Sequence, residues 1–183
     1  MRAPTPWAEE VHEVLRELGV REVAYVPDSG HARLIDLVRA DRRMRAVPLT
    51  TEEEGVALAL GAWLGGSRSA LLLQSSGVGN CINMLGMIEE CRAPLLMLVT
   101  MRGQWGEFNP WQVPMAQATL PALEAMRVVV RAVEEPEAIA PCVAAMGRLA
   151  FQTNRAVAVL IGQRALGAKT FAASEKRERV FSR

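Results

Sequence analysis

The chain has 183 residues, half of them hydrophobic, and a formal net charge of +1. This length suits one domain with a full core, and the apolar content excludes a disordered chain. Scattered basic residues exclude a nucleic-acid-binding stripe, and the longest apolar runs, 69–73 and 94–99, are too short to span a bilayer.

Trp7, Val11, Val14, Leu15 and Leu18 recur at helical spacing, with Thr5-Pro6 before them and Gly19 after. Glu9, Glu10 and Glu13 fall where a signal peptide needs an apolar segment, so no secretory leader is expected. A strand is predicted over 22–26, stopped by Pro27, then a helix over 32–38 and a strand over 45–49. The next helix, Glu52–Leu64, ends at Gly65-Gly66. Continuous apolar runs at 69–74 and 94–100 read as strands buried on both faces. Between them lie a glycine-containing turn, 75–79, and a helix over 80–91. A polar and aromatic loop follows over 101–114, then a helix over 120–126, a strand over 128–132, a helix over 134–152 and a last strand, Ala156–Ile161. A single domain over 1–167 with a charged tail, 168–183, is expected. Alternating helices and strands joined by short connections imply an α/β fold. It is a doubly wound, mainly parallel six-stranded sheet with helices on both faces.

Cys81 and Cys91 share a predicted helix and stand about 15 Å apart along its axis, too far for a disulfide. Cys81, Cys91 and Cys142 therefore read as buried, reduced thiols of a cytoplasmic protein. His12 and His31 are the only histidines, which excludes a polyhistidine metal centre.

Ligands of such sheets bind beyond the carboxyl ends of the strands. Four segments lie there. Thr50-Thr51-Glu52-Glu53-Glu54 opens an otherwise apolar helix with three acids. Thr51 as N-cap and Glu54 three residues on form a capping box, and acids in a first turn complement the helix dipole. Local pattern alone does not separate Glu52 and Glu53 from such capping. Pro27-Asp28-Ser29-Gly30-His31 reads as a turn with a cap, and also as a set of donors and acceptors for a polar ligand. Gly77-Val78-Gly79-Asn80 fails as a dinucleotide fingerprint, because Ile82 stands where the third glycine belongs and no ribose-binding acid ends the next strand. The loop after Met101 holds Arg102, suited to clamp an acidic group, and two of the four tryptophans, Trp105 and Trp111. No hydrolase constellation is present, which points to a borrowed cofactor.

Together these segments resemble the pyrimidine-binding domain of thiamine-diphosphate-dependent enzymes, and within it the sulfopyruvate and phosphonopyruvate decarboxylases. The resemblance rests on Val26-Pro27-Asp28-Ser29, Thr51-Glu52-Glu53-Glu54-Gly55 through Gly61, Gln74-Ser75-Ser76-Gly77-Val78-Gly79-Asn80, and Arg102-Gly103 through Gln112-Val113-Pro114-Met115. It covers most of residues 5–165. It implies a 2-oxo acid decarboxylase in which one glutamate, nine residues before Gly61, hydrogen-bonds the aminopyrimidine of thiamine diphosphate and activates it. That residue is Glu52. The resemblance also implies that Pro27, Gly77, Val78, Gly79 and Asn80 line the cofactor pocket. Ser29 then faces the substrate carboxylate, with Asp28 and His31 nearby, and Arg102 meets a second acidic group. Where related chains carry Pro-Met-Gly, this one has Pro114-Met115-Ala116. The family's Gly-Asp-Gly motif for Mg2+ and diphosphate does not occur here. A separate diphosphate-binding beta subunit holding Mg2+ is therefore expected, together with homo-dimerisation through the pyrimidine-type domains. The alternatives are a non-catalytic assembly module, a subunit acting on another 2-oxo acid, and a nucleotide-binding domain, the last weakened by the failed fingerprint.

Overall fold

A computed structural model describes residues 7–166. The predicted tail, 168–183, and the Thr5-Pro6 helix start lie outside the described residues. Six strands, β1 (Val20–Tyr25), β2 (Arg45–Pro48), β3 (Arg68–Gln74), β4 (Leu95–Thr100), β5 (Val129–Val133) and β6 (Ala156–Ile161), form one sheet in the order β2-β1-β3-β4-β6-β5. Every neighbouring pair is parallel.

Helices α1 (Trp7–Glu17), α2 (Ala32–Ala40) and α6 (Pro136–Thr153) cover one face, and α3 (Glu52–Leu64), α4 (Ser75–Cys91) and α5 (Val113–Ala125) cover the other. The strand sequences explain both cores. Along β3, Ala70 and Leu72 enter the first apolar cluster while Leu71 and Leu73 enter the second. Along β4, Leu96 and Leu98 alternate with Leu95, Met97 and Val99 in the same way. A central strand buried on both faces needs such a continuous apolar run. Each fully buried leucine or valine contributes about 1.5–3 kcal/mol. The edge strands β2 and β5 are shorter and expose arginines, Arg45 and Arg131, which discourages pairing with other chains.

Two element starts differ from expectation by more than two residues. The turn predicted over 75–79 is already helix, since α4 starts at Ser75 directly after β3. Glycine there serves close packing rather than a turn. Likewise α5 begins at Val113, ahead of the predicted start at 120, after a short 3-10 turn, Pro110–Gln112. Pro114 lies in its first turn, where a missing N–H costs nothing, so proline opens this helix instead of blocking it. A final short helix, α7 (Gln163–Leu166), follows β6 beyond the expected elements. Cys81 is buried as expected, but Cys91 is exposed and Cys142 half-buried, and all three are free. Cys91 closes the solvent side of α4, beyond the last core position Ile88. No described helix is long and apolar enough to cross a membrane.

The chain leaves β1 toward β2 and returns to β3 on the other side of β1, which opens a crevice at the carboxyl ends. The close approach of α3 to that region depends on Gly55. A Cβ there would overlap Leu71 Cδ1 and stand 2.9 Å from Leu49 Cδ1. Leu71 is fully buried, so its methyl can move aside only at the expense of its packing. Gly55→Ala is expected to destabilise the fold by about 1–3 kcal/mol, read as a lower denaturant midpoint at unchanged slope. An unchanged midpoint would contradict this packing.

Candidate active site

The three acids that open α3 separate into two roles. Glu54 makes the return half of a capping box, its Oε2 accepting from the backbone N–H groups of Thr50 at 2.8 Å and Thr51 at 3.4 Å. Glu53 accepts the Thr51 hydroxyl. Glu52 turns inward and is 9% exposed. Its Oε2 accepts from Asn80 Nδ2 at 2.7 Å, the single hydrogen bond to this side chain among the described residues. Its Oε1 lies over Gly77, where a Cβ would overlap that oxygen. Only glycine leaves room for the carboxylate at that place. No cation pairs with it among the described residues.

The helical start of α4 determines which of residues 77–80 meet Glu52. Gly77 and Asn80 are three apart and share a helix face. Val78 and Cys81 face the core instead, both fully buried. Val78 is thus set into the core and not onto the carboxylate. Gly79 is exposed, and a Cβ there would stand in ordinary contact with Met115 Sδ at 3.6 Å. The Cys81 thiol is pushed up to about 12, first by burial and then by the negative charge of Glu52 and Glu53.

The loop after β1 exposes Pro27 and Ser29 but turns Asp28 and His31 inward. Asp28 Oδ2 accepts from the Thr100 hydroxyl at 2.6 Å, and Oδ1 accepts from Gln74 Nε2 at 3.0 Å. Burial pushes the Asp28 carboxyl up. The Thr100 hydroxyl, His31 once protonated in acid, the Gly30 N–H and the Gln74 amide outweigh it and hold the group below its ordinary value. His31 is fully buried, its Nδ1 3.7 Å from Asp28 Oδ2 and its ring edge-on to Trp7. Burial lowers it to about 4 against the opposing pull of Asp28, so it is neutral at pH 7.

Arg102, read from the sequence as open to an acidic ligand, is already paired. Its guanidinium is engaged by Glu107, through Nε at 2.8 Å and Nη2 at 2.6 Å, with both side chains largely buried. Glu107 also accepts from the Gly103 and Asn109 backbone N–H groups and from Gln163 Nε2. Arg102 first, then these donors, hold Glu107 down to about 2. Gln163 Oε1 accepts the backbone N–H groups of Gln104 and Trp105, which fastens the loop to the end of β6. Trp105, Phe108 and Trp111 remain exposed on it.

Gln74, Thr100, Glu107 and Gln163 are neighbours of the candidate site residues that sequence reasoning does not single out. Gln74 and Thr100 carry a readable signal, since each is the polar residue that closes an apolar run at the end of its strand. The Glu107–Gln163 contact carries none, because the two lie 56 residues apart. Among the described residues no three His, Cys, Asp or Glu side chains are grouped to hold a metal ion.

By its similarity to known proteins, this fold stands among the N-terminal TPP binding domains of thiamine pyrophosphate enzymes. Residues 7–108 match the family model "Thiamine pyrophosphate enzyme, N-terminal TPP binding domain". The sulfopyruvate decarboxylase subunit alpha of Methanothermobacter thermautotrophicus is 33% identical over 155 residues, covering 84% of this chain and 94% of that protein. The phosphonopyruvate decarboxylase of Streptomyces hygroscopicus is 42% identical over 94 residues, 51% of this chain and 23% of that protein. The crystal structure of benzoylformate decarboxylase from Polynucleobacter necessarius shares the fold with a TM-score of 0.68 at 17% identity, covering 92% of this chain and 32% of that one. The chain belongs to the thiamine pyrophosphate enzyme family, as an N-terminal TPP binding domain.

The buried histidine generates a pH prediction. Its folded value lies below the ordinary 6.5, so the stability gained by burying it neutral is complete above pH 6.5 and is lost as pH falls toward 4. The lowered carboxylates, Glu107, Glu9, Asp28 and Asp41, act only below about pH 4.5. Between pH 6.5 and 4.5 the unfolding free energy should therefore fall with decreasing pH, and His31→Phe should flatten that slope. An identical slope in the variant would show that His31 is not buried in its neutral form.

Proposed function

We propose that this chain is the alpha-type subunit of a thiamine-diphosphate-dependent carbon–carbon lyase that decarboxylates 3-sulfopyruvate or a phosphonopyruvate-like 2-oxo acid. The observation that carries the reading is the inward Glu52 carboxylate, with one oxygen held by Asn80 and the other over Gly77. A buried carboxylate with one neutral donor and no cation keeps acceptor capacity for a protonated ring nitrogen. That donor set fits an aminopyrimidine. Bound thiamine diphosphate supplies the electron sink that lets a 2-oxo acid lose carbon dioxide.

The chain's own residues do the following. Glu52 holds and returns a proton at the pyrimidine ring nitrogen. Asn80 fixes its rotamer. Gly77 seats the Glu52 carboxylate at the cofactor pocket, Gly79 lines the same pocket, Val78 anchors that helix in the core, and Pro27 borders the pocket. Ser29, exposed after β1, meets the substrate carboxylate. Asp28 and His31 support that loop from beneath. Arg102 reaches a second acidic group of the substrate only by exchanging Glu107 for it.

A relative that this chain covers almost end to end is named as an alpha subunit, which supports a partner chain. That partner is a diphosphate-binding beta subunit that holds Mg2+, and pairing between copies of this chain completes the assembly. Free cysteines suit a reducing, cytoplasmic compartment.

Copurification from the source organism should recover the beta subunit, and the complex should release carbon dioxide from 3-sulfopyruvate or a close analogue. In that complex Glu52→Gln should lower kcat by roughly 10²–10⁴-fold, while Glu53→Gln and Glu54→Gln leave it within a few-fold. A large loss in Glu53→Gln or Glu54→Gln instead would move the role to another acid. A complex inactive on every 2-oxo acid tried would favour a non-catalytic assembly module.

A further inference from the structure

Asp28 is a buried carboxylate to which the proposed chemistry gives no contact with substrate or cofactor. It lies in the loop after β1, yet its two oxygens are bound by the last residues of two other strands. Thr100 ends β4 and Gln74 ends β3. The Asp28 side chain is 7% exposed and Thr100 is 1% exposed, while Gln74 is half-buried. The Gln74 amide is bound at both ends. Its Nε2 donates to Asp28 at 3.0 Å and its Oε1 accepts the Ser76 hydroxyl at 2.9 Å. A carboxylate only accepts, so the amide has one permitted orientation: NH2 toward Asp28 and C=O toward Ser76. Ser76 directly precedes Gly77, the residue under the Glu52 carboxylate.

We infer that Asp28 is a positioning residue: its carboxylate locks the Ser29 loop to the ends of β3 and β4, and through the orientation of the Gln74 amide it sets the Ser76–Gly77 wall of the Glu52 pocket. The line runs Thr100–Asp28–Gln74–Ser76 and joins the substrate-facing loop to the cofactor-facing helix with neutral donors on one buried charge. The loop is tightly seated at Gly30, since a Cβ there would stand 2.8 Å from Asp28 Oδ2 and 2.8 Å from Thr100 Cγ2. The catalytic consequence rests on the function proposed above; the structural lock does not.

The donor and acceptor order gives the test. Gln74→Glu places two carboxylates face to face. The full chain should melt lower by about 5 °C, and at a temperature where it stays folded the complex with its beta subunit should lose roughly tenfold or more in kcat. Asp28→Asn alone can still accept from Thr100 or Gln74 and should be the milder change. Combined with Gln74→Glu it restores the order, because the introduced amide donates to the introduced carboxylate, which still accepts the Ser76 hydroxyl. The double variant should therefore recover most of the melting temperature and bring kcat within about threefold of the wild type. Were Asp28 a substrate ligand, Asp28→Asn would aggravate the Gln74→Glu defect and raise KM. That result, or a Gln74→Glu chain that melts like the wild type, would overturn the proposal. If the complex decarboxylates nothing, the functional reading fails by itself and the melting temperatures still decide the lock.

Discussion

The burial of one carboxylate against one glycine governs the arrangement of this domain's candidate site. Glu52 can turn inward at the start of α3 only because Gly77 offers no Cβ and Asn80 offers a donor. Both conditions require α4 to be helical from its first residue after β3, so that positions 77 and 80 face α3 together. Glycine inside a helix costs up to about 1 kcal/mol relative to alanine. The approach of the carboxylate is the compensating feature. The adjacent acids, Glu53 and Glu54, are engaged at the helix start, which leaves Glu52 without competition for the interior.

Three acids at the carboxyl end of the sheet are stabilised in three different ways, and the differences follow their roles. Glu107 has a full cation, Arg102, and accepts from Gly103, Asn109 and Gln163 as well. It organises a loop and has little capacity left. Asp28 has neutral donors from two strands and a neutral histidine behind it, and it ties segments together. Glu52 has one amide. Of the three it is the one with acceptor capacity to spare, which is what a proton-sharing role demands. A charge saturated by its own protein is poorly placed for chemistry, and an unsaturated one persists only where function or a ligand completes it.

The fold was legible in the sequence because its signals are local. Continuous apolar runs marked β3 and β4, and helical spacing marked α1 and α3, with α3 read to its observed bounds. What failed were the starts of α4 and α5. Gly77 and Pro114 are turn residues by local chemistry, and only packing against Glu52 and the tolerance of a first helical turn make them helical. Within the site, Glu52 was separable from its neighbours only through a resemblance carried by four segments, since capping explains any acid at that end. The inward turn of Asp28 and His31 was not legible, because their partners Thr100 and Trp7 lie on other elements. The engagement of Arg102 was close to legible: Glu107 is five residues on, but an ion pair across a loop has no fixed spacing.

The central claim is that Glu52 acts on the pyrimidine ring of the cofactor. Hydrogen–deuterium exchange at the thiazolium C2 of thiamine diphosphate, bound to the complex with the beta subunit and followed without substrate, measures that action directly. Exchange should be much faster in the wild-type complex than for the free cofactor and should fall back by orders of magnitude in Glu52→Gln, with cofactor still bound. Equal exchange in wild-type and Glu52→Gln complexes would contradict the account.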